Sequence, residues 1–142
     1  MSERVSRLLI FRVHGVRYGL DLYDVSEVLE TFTLYPIPRA PATLRGAVNS
    51  HGILIPVVDL GNYFGSGPLA EQGTLLVLDR GRANCALLVE RVEAVVPFEE
   101  AIGEDVSTEP EFARLLKLAD GPVRQLSFDG VVEGVERVLQ SC

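Results

Sequence analysis

The sequence predicts an all-β fold with a few short helices. About ten apolar runs of strand length recur along the chain, and turn signals separate them roughly every 8–12 residues. Only two or three helical patterns are present, and they are short. They do not alternate with the strands, so the pattern indicates a barrel or sandwich and not an alternating α/β sheet.

Leu8-Leu9-Ile10-Phe11-Arg12-Val13 is a mostly buried strand. His14-Gly15 marks a turn, and Arg17-Tyr18-Gly19-Leu20-Asp21-Leu22 then alternates polar and apolar, which makes a β-hairpin. Tyr18, Leu20 and Leu22 fall on its inner face. Asp24 is placed to cap a short helix over residues 25–30, where Val25, Val28 and Leu29 form one apolar stripe. On such a helix Val25 and Val28 read as core, and Glu27 stands on the opposite, polar side. Residues 31–35 return to extended structure. Pro36, Pro38 and Pro41 make residues 36–42 a stiff connector.

Residues 45–48 and 53–58 read as a second hairpin around Asn49-Ser50-His51-Gly52, whose Asn and Gly allow positive φ. Pro56 has no N–H and is expected at an edge or a bulge. Asp59 caps a helical turn through residues 60–64, and residues 65–73 are a loop. Residues 74–78 form the next strand, 79–82 its turn, and 83–90 its partner, with Cys85 buried inside it. Residues 92–97 continue as a strand. Glu99, Glu100, Glu104, Asp105, Glu109 and Glu111 make residues 99–111 acidic, with no Lys or Arg, and read as a solvated loop. Residues 112–118 and 123–128 pair around Asp120-Gly121. Asp129 caps a final helix over residues 131–140, with Val131, Val132, Val135, Val138 and Leu139 on its apolar side.

The 142 residues are 47% hydrophobic and 23% charged, as in a packed chain. They are read as a single domain over residues 1–142, with residues 1–7 and 141–142 as flexible ends. The net charge of −7 argues against nucleic acid, whose phosphates demand a basic face. That charge is concentrated after Asp59. No apolar run approaches the ~20 residues of a membrane span. The charged N-terminus does not fit a signal peptide. A soluble, cytoplasmic protein without direct membrane insertion is therefore expected.

No catalytic, metal or cofactor site is expected. Cys85 and Cys142 are too far apart in the chain for a close-spaced metal or redox motif. His14 and His51 both lie in turns, and no cluster supplies further ligands. There is no G-x-S-x-G elbow and no P-loop. Gly65-Ser66-Gly67 is not followed by a dinucleotide-type helix start. Asp79, Asp120 and Asp129 have turn or capping roles. By elimination, function is expected in a surface that binds another protein.

The stretch from Arg45 to Leu60, RGAVNSHGILIPVVDL, resembles the signature of the CheW family of chemotaxis adaptors. That signature runs basic, Gly, two small or apolar residues, Asn, any residue, Arg, Gly, apolar residues, Pro, two apolar residues, Asp, Leu. The first hairpin with Tyr18-Gly19-Leu20, the segment Val25-Ser26-Glu27-Val28, residues 86–92 and residues 117–123 are similar to other parts of the family. The resemblance spans residues 8–139. It implies two packed, intertwined five-stranded barrels, each similar to an SH3 barrel. It also implies a non-catalytic adaptor that bridges the cytoplasmic tip of a chemoreceptor (a methyl-accepting chemotaxis protein) and the regulatory domain of a CheA-type histidine kinase. The partner-binding residues it implies are Val25, Glu27, Gly46, Asn49, His51 and Gly52. Gly46 and Gly52 also read as turn and strand-end glycines, and Glu27 is the better binding candidate of its segment.

The sequence departs from the signature at His51, where the family carries Arg, and at Ser50, where an apolar residue is commoner. In the family that Arg pairs with an acid whose place is taken here by Glu27, so a His51–Glu27 pair is expected when the imidazole is protonated. A neutral His does not reproduce a bidentate Arg contact. Two alternatives stand beside the adaptor reading. One is a CheW-like adaptor of a motility or developmental pathway that contacts only one partner. The other is a small-ligand-binding β-barrel.

Overall fold

The computed structural model describes residues 7–70 and 72–140. Among these residues eleven strands form two sheets. β1 (Arg7–Val13) and β2 (Val16–Asp21) open the first sheet. The chain then crosses to the second with β3 (Val25–Leu29), β4 (Leu44–Ser50), β5 (Ile53–Asp59), β6 (Thr74–Leu78) and β7 (Ala86–Val89). It returns with β8 (Arg91–Pro97), β9 (Gly103–Val106), β10 (Phe112–Leu118) and β11 (Gly121–Leu126). A four-residue helix α1 (Leu60–Tyr63) follows β5, and α2 (Phe128–Gln140) ends the described chain.

The six-stranded sheet runs β8-β1-β2-β11-β10-β9, and the five-stranded sheet runs β3-β6-β7-β5-β4. The two share one plan. A hairpin (β1–β2 or β4–β5) lays its second strand parallel to a later strand, β11 or β7, and all other pairs are antiparallel. The first sheet thus has six strands where five were expected. Both sheets and α2 contribute to one main core, from Leu9 and Phe11 through Val57, Leu75 and Leu87 to Phe128, Val131 and Val135. Rings of Phe11, Tyr18, Phe64 and Phe112 stack through it, with neighbouring centroids 4.8–6.1 Å apart. Leu8 and Ile10 face the other way, into a smaller cluster with Leu116 and Val123. β1 is therefore buried on both faces over Leu8–Phe11, which is why that run is continuously apolar and does not alternate.

Several expectations give way to the structure. Residues 25–30 form no helix. Asp21, not Asp24, caps a single 3-10 turn over Leu22–Asp24, accepting from the Tyr23 N–H at 3.0 Å. Residues 25–29 then pair antiparallel with β6. A stripe at 25, 28 and 29 fits a helix, but residues 25, 27 and 29 also fit a strand, and the β6 edge decides between them. Val28 is consequently 41% exposed and not core. Glu27 shares its half-buried face with Val25 and Leu29.

The acidic segment is not all loop. It contains β9, on which Glu104 and Asp105 face Arg114 and Lys117 of β10 at 3.1 and 3.4 Å. Pro56 lies in an inner strand. It sits opposite Ala47 and one residue before β7 begins to pair at Val57, so no neighbour asks for its missing N–H. Ser127, not Asp129, caps α2, accepting from the Gly130 N–H at 3.2 Å. Cys85 is buried as expected, but it precedes β7 and is not part of it. β1 already opens at Arg7. The remaining expectations for the ends, residues 1–6 and 141–142, fall outside the described residues.

Candidate binding surface at the tip of the second sheet

The β4–β5 hairpin turns on two residues, His51 and Gly52, at φ 51° and 88°. Ser50 pairs with Ile53 across the loop, so Asn49 and Ser50 still belong to β4. Two successive positive φ values belong to a type I′ turn, whose twist matches that of the strands. Histidine is among the side chains that tolerate this region, and glycine fits it without strain. Asn49 Oδ1 accepts the Gly52 N–H at 2.9 Å and pins the loop. His14-Gly15 closes the first hairpin in the same way, at φ 49° and 80°.

β3 and β4 are the two edges of the five-stranded sheet, four strands' spacing apart along its hydrogen-bonding order. At this end the edges nevertheless meet. Glu27 Oε2 lies 3.5 Å from His51 Nε2, and the Ser50 hydroxyl donates to Glu27 Oε1 at 3.5 Å. The sheet has curled until side chains of opposite edges touch. A bulge in β3 aims Glu27 into this junction. Val25 faces Leu78 and Glu27 faces Val77, leaving Ser26 as the extra residue, and its hydroxyl donates to the carbonyls of both Val77 and Leu78 at 3.2 Å.

Arg80, in the turn between β6 and β7, donates to the same Ser50 hydroxyl through Nη2. Ser50 is 3% exposed, whereas the His51 side chain is 68% exposed and that of Glu27 32%. The result is a buried hydroxyl holding an exposed guanidinium on one side and a half-exposed carboxylate on the other. Ile53, paired with Ser50, and Leu54, paired with Asn49, are exposed large apolar side chains on opposite faces of this hairpin, and Val28, also exposed, faces away from Glu27 on β3.

Of the residues singled out from sequence, Glu27, Asn49, His51 and Gly52 come together here. Val25 does not; it packs half-buried against the main core. Gly46 lies further down β4, at φ 144°, where a Cβ would stand 2.6 Å from the Tyr35 carbonyl oxygen. Tyr35 and Ala47 exchange both backbone hydrogen bonds at 2.8 Å, so Gly46 admits the connector to the edge of β4. Arg80, Val28, Ile53 and Leu54 were missed. Residues 79–82 read only as a turn, and nothing local in the sequence links Arg80 to Ser50.

The hairpin is anchored at its base. Asp59 is fully buried, accepts from the Asn62 N–H at 3.2 Å as the cap of α1, and accepts from the Leu69 N–H at 3.0 Å. Arg45 Nη1 donates to Asp59 Oδ2 at 2.8 Å and to the Leu69 carbonyl at 2.7 Å. Elsewhere, burial pushes the Cys85 thiol up to about 12, with Glu136 adding to it. Glu93 is held below the usual carboxylate range, first by the hydrogen bond from Arg12 and further by Arg17. Among the described residues no group of three His, Cys, Asp or Glu could hold a metal ion, and no helix is long and apolar enough to cross a membrane.

A family model described as CheW-like domain matches residues 7–136. The chain is similar to Chemotaxis protein CheW of Klebsiella aerogenes, 27% identical over 107 residues, which are 74% of this chain and 63% of that protein. It is also similar to Protein FrzA of Myxococcus xanthus, 37% identical over 57 residues, covering 40% of this chain and 36% of that one. The match thus spans less than two thirds of either relative's length. In fold it is similar to the scaffolding protein TtCheW of Thermoanaerobacter tengcongensis, with a TM-score of 0.74 at 24% identity, covering 87% of this chain and 90% of that chain.

Proposed function

The chain belongs to the CheW-like domain family, and on that footing we propose that it is a non-catalytic signalling adaptor of a bacterial chemosensory system. In this reading it works in the cytoplasm and couples chemoreceptor tips to a CheA-type histidine kinase by protein–protein contact. One observation carries the reading beyond family membership. The signature stretch folds into the hairpin whose tip brings Glu27, Ser50 and His51 together, with exposed Ile53 on the Ser50 face of that hairpin and exposed Leu54 on its other face. Apolar anchors with a polar rim are the usual make-up of a protein-binding patch. Both faces of β6 and β7 are packed, with Leu75, Leu76, Val77, Leu87, Leu88 and Val89 all fully buried, which supports an interaction module over a ligand-holding barrel.

His51 in the place of the signature arginine favours a second reading, in which only one of the two partners binds. Calorimetric titration with the purified kinase regulatory domain and with a receptor-tip fragment, each alone, separates the two. Binding of both supports the bridge, binding of one supports the narrower role, and binding of neither overturns the adaptor reading.

A further inference from the structure

We propose that Arg80 is the specificity-determining cation of this surface, held by Ser50 and Glu27 and offered to a carboxylate on an apolar segment of the partner protein. The inference rests on the reading of this tip as a protein-binding surface. Its evidence is the chain of donors. Arg80 Nη2 donates to Ser50 Oγ, and Ser50 Oγ donates to Glu27 Oε1 at 3.5 Å. Ser50 is 3% exposed, so its hydroxyl does not exchange these partners freely for water. The hydroxyl is thereby polarised in one direction, from guanidinium to carboxylate.

The other oxygen of Glu27 faces His51 Nε2 at 3.5 Å. His51 and Glu27 thus address each other, and the imidazole is charged only when it is protonated. Arg80 is different. It is exposed and charged at every pH of interest, and its planar fork carries five N–H groups. Among the described residues the hydrogen bond it makes is the one to Ser50. The rest of the fork is directed by that bond and is available to an acidic group. Exposed Ile53, paired with Ser50 and so on the same face of the hairpin, offers an apolar neighbour to the segment bearing that acid.

The test is calorimetric titration at pH 7.5, at low and physiological salt, against the kinase regulatory domain and the receptor-tip fragment separately. Arg80→Gln is expected to weaken binding of at least one of them about ten-fold or more, the scale of one lost charge-assisted hydrogen bond, and to flatten the salt dependence. Arg80→Lys recovers only part of the affinity, because an ammonium cannot hold Ser50 and the partner in one plane. A thermal melt of Arg80→Gln matching wild type shows that the loss is not unfolding, and the salt slope is a readout that a purely structural role would leave alone. Wild-type binding with no effect of Arg80→Gln or Arg80→Lys overturns this proposal alone. Failure of the wild type to bind either fragment overturns the adaptor reading and this proposal with it.

Discussion

Glu27 stands on one edge strand of a five-stranded sheet and His51 in the loop that follows the other, β4, yet their side chains are 3.5 Å apart. The bulge at Ser26 and the type I′ loop at His51-Gly52 are the two local distortions that make this meeting possible. A bulge adds twist and re-aims a side chain, and a two-residue loop keeps the hairpin tip narrow. Both edges of the sheet are thereby committed at this end to side-chain contacts.

Gly52→Val is expected to destabilise the protein by about 1–3 kcal/mol, because a β-branched residue is strained at positive φ. No heavy atom lies within 4 Å of a Cβ there, so the cost comes from backbone conformation and not from a clash. Gly52→Asn, which tolerates the same φ, should lose under about 1 kcal/mol. Urea denaturation of both variants checks this, and an unchanged midpoint for the valine variant contradicts the turn.

Asp59→Ala should cost about 3 kcal/mol or more, since it removes the cap of α1 and the acceptor for the Leu69 N–H, and it breaks a largely buried ion pair with Arg45. Asp59→Asn keeps an acceptor for the cap and should lose less. Equilibrium unfolding of the pair decides it, and a loss below about 1 kcal/mol in the alanine variant would show that this anchor is dispensable.

Cys85 is expected to resist alkylation in the native protein and to react quickly in urea, because burial keeps it a thiol. The same shift sets an alkaline limit. The folded thiol titrates at about 12, above the ordinary thiol value, so the folded state holds the proton longer. Its contribution is complete below the unfolded pKa of about 8.5 and is lost between there and the folded value, at up to about 1.4 kcal/mol per pH unit. Unfolding free energies between pH 8 and 11 should fall more steeply in wild type than in Cys85→Ala. Parallel curves would contradict the burial of this thiol.

Glu93 is the extra residue of a bulge in β8, set 2.5 Å from Arg12 Nε and 2.8 Å from Arg17 Nε. Its depressed pKa stabilises the fold above the ordinary glutamate value of about 4.3 and ceases to do so as pH falls through the lower folded value. Glu93→Gln should therefore lower stability near neutral pH and flatten its decline below pH 5, as measured by acid titration of the unfolding midpoint.

By itself the sequence determined the local elements of this protein. The His14-Gly15 and His51-Gly52 turns, the capping of α1 by Asp59, β6, and the β10–β11 pair around Asp120-Gly121 all follow from signals a few residues long. Turn chemistry, caps and apolar runs act at that range, so they can be read without knowing what lies beside them. The signature from Arg45 to Leu60 likewise pointed to the family matched over residues 7–136. The tertiary structure decided what depends on distant partners. Residues 25–29 became a strand because the β6 edge, some fifty residues on, pairs with them. The acidic β9 formed because the edge of β10 pairs with it, with Arg114 and Lys117 facing its carboxylates. Glu27, Ser50, His51 and Arg80 share one surface only because the sheet curls, and curvature is a property of five strands packed together that no single stretch of sequence records.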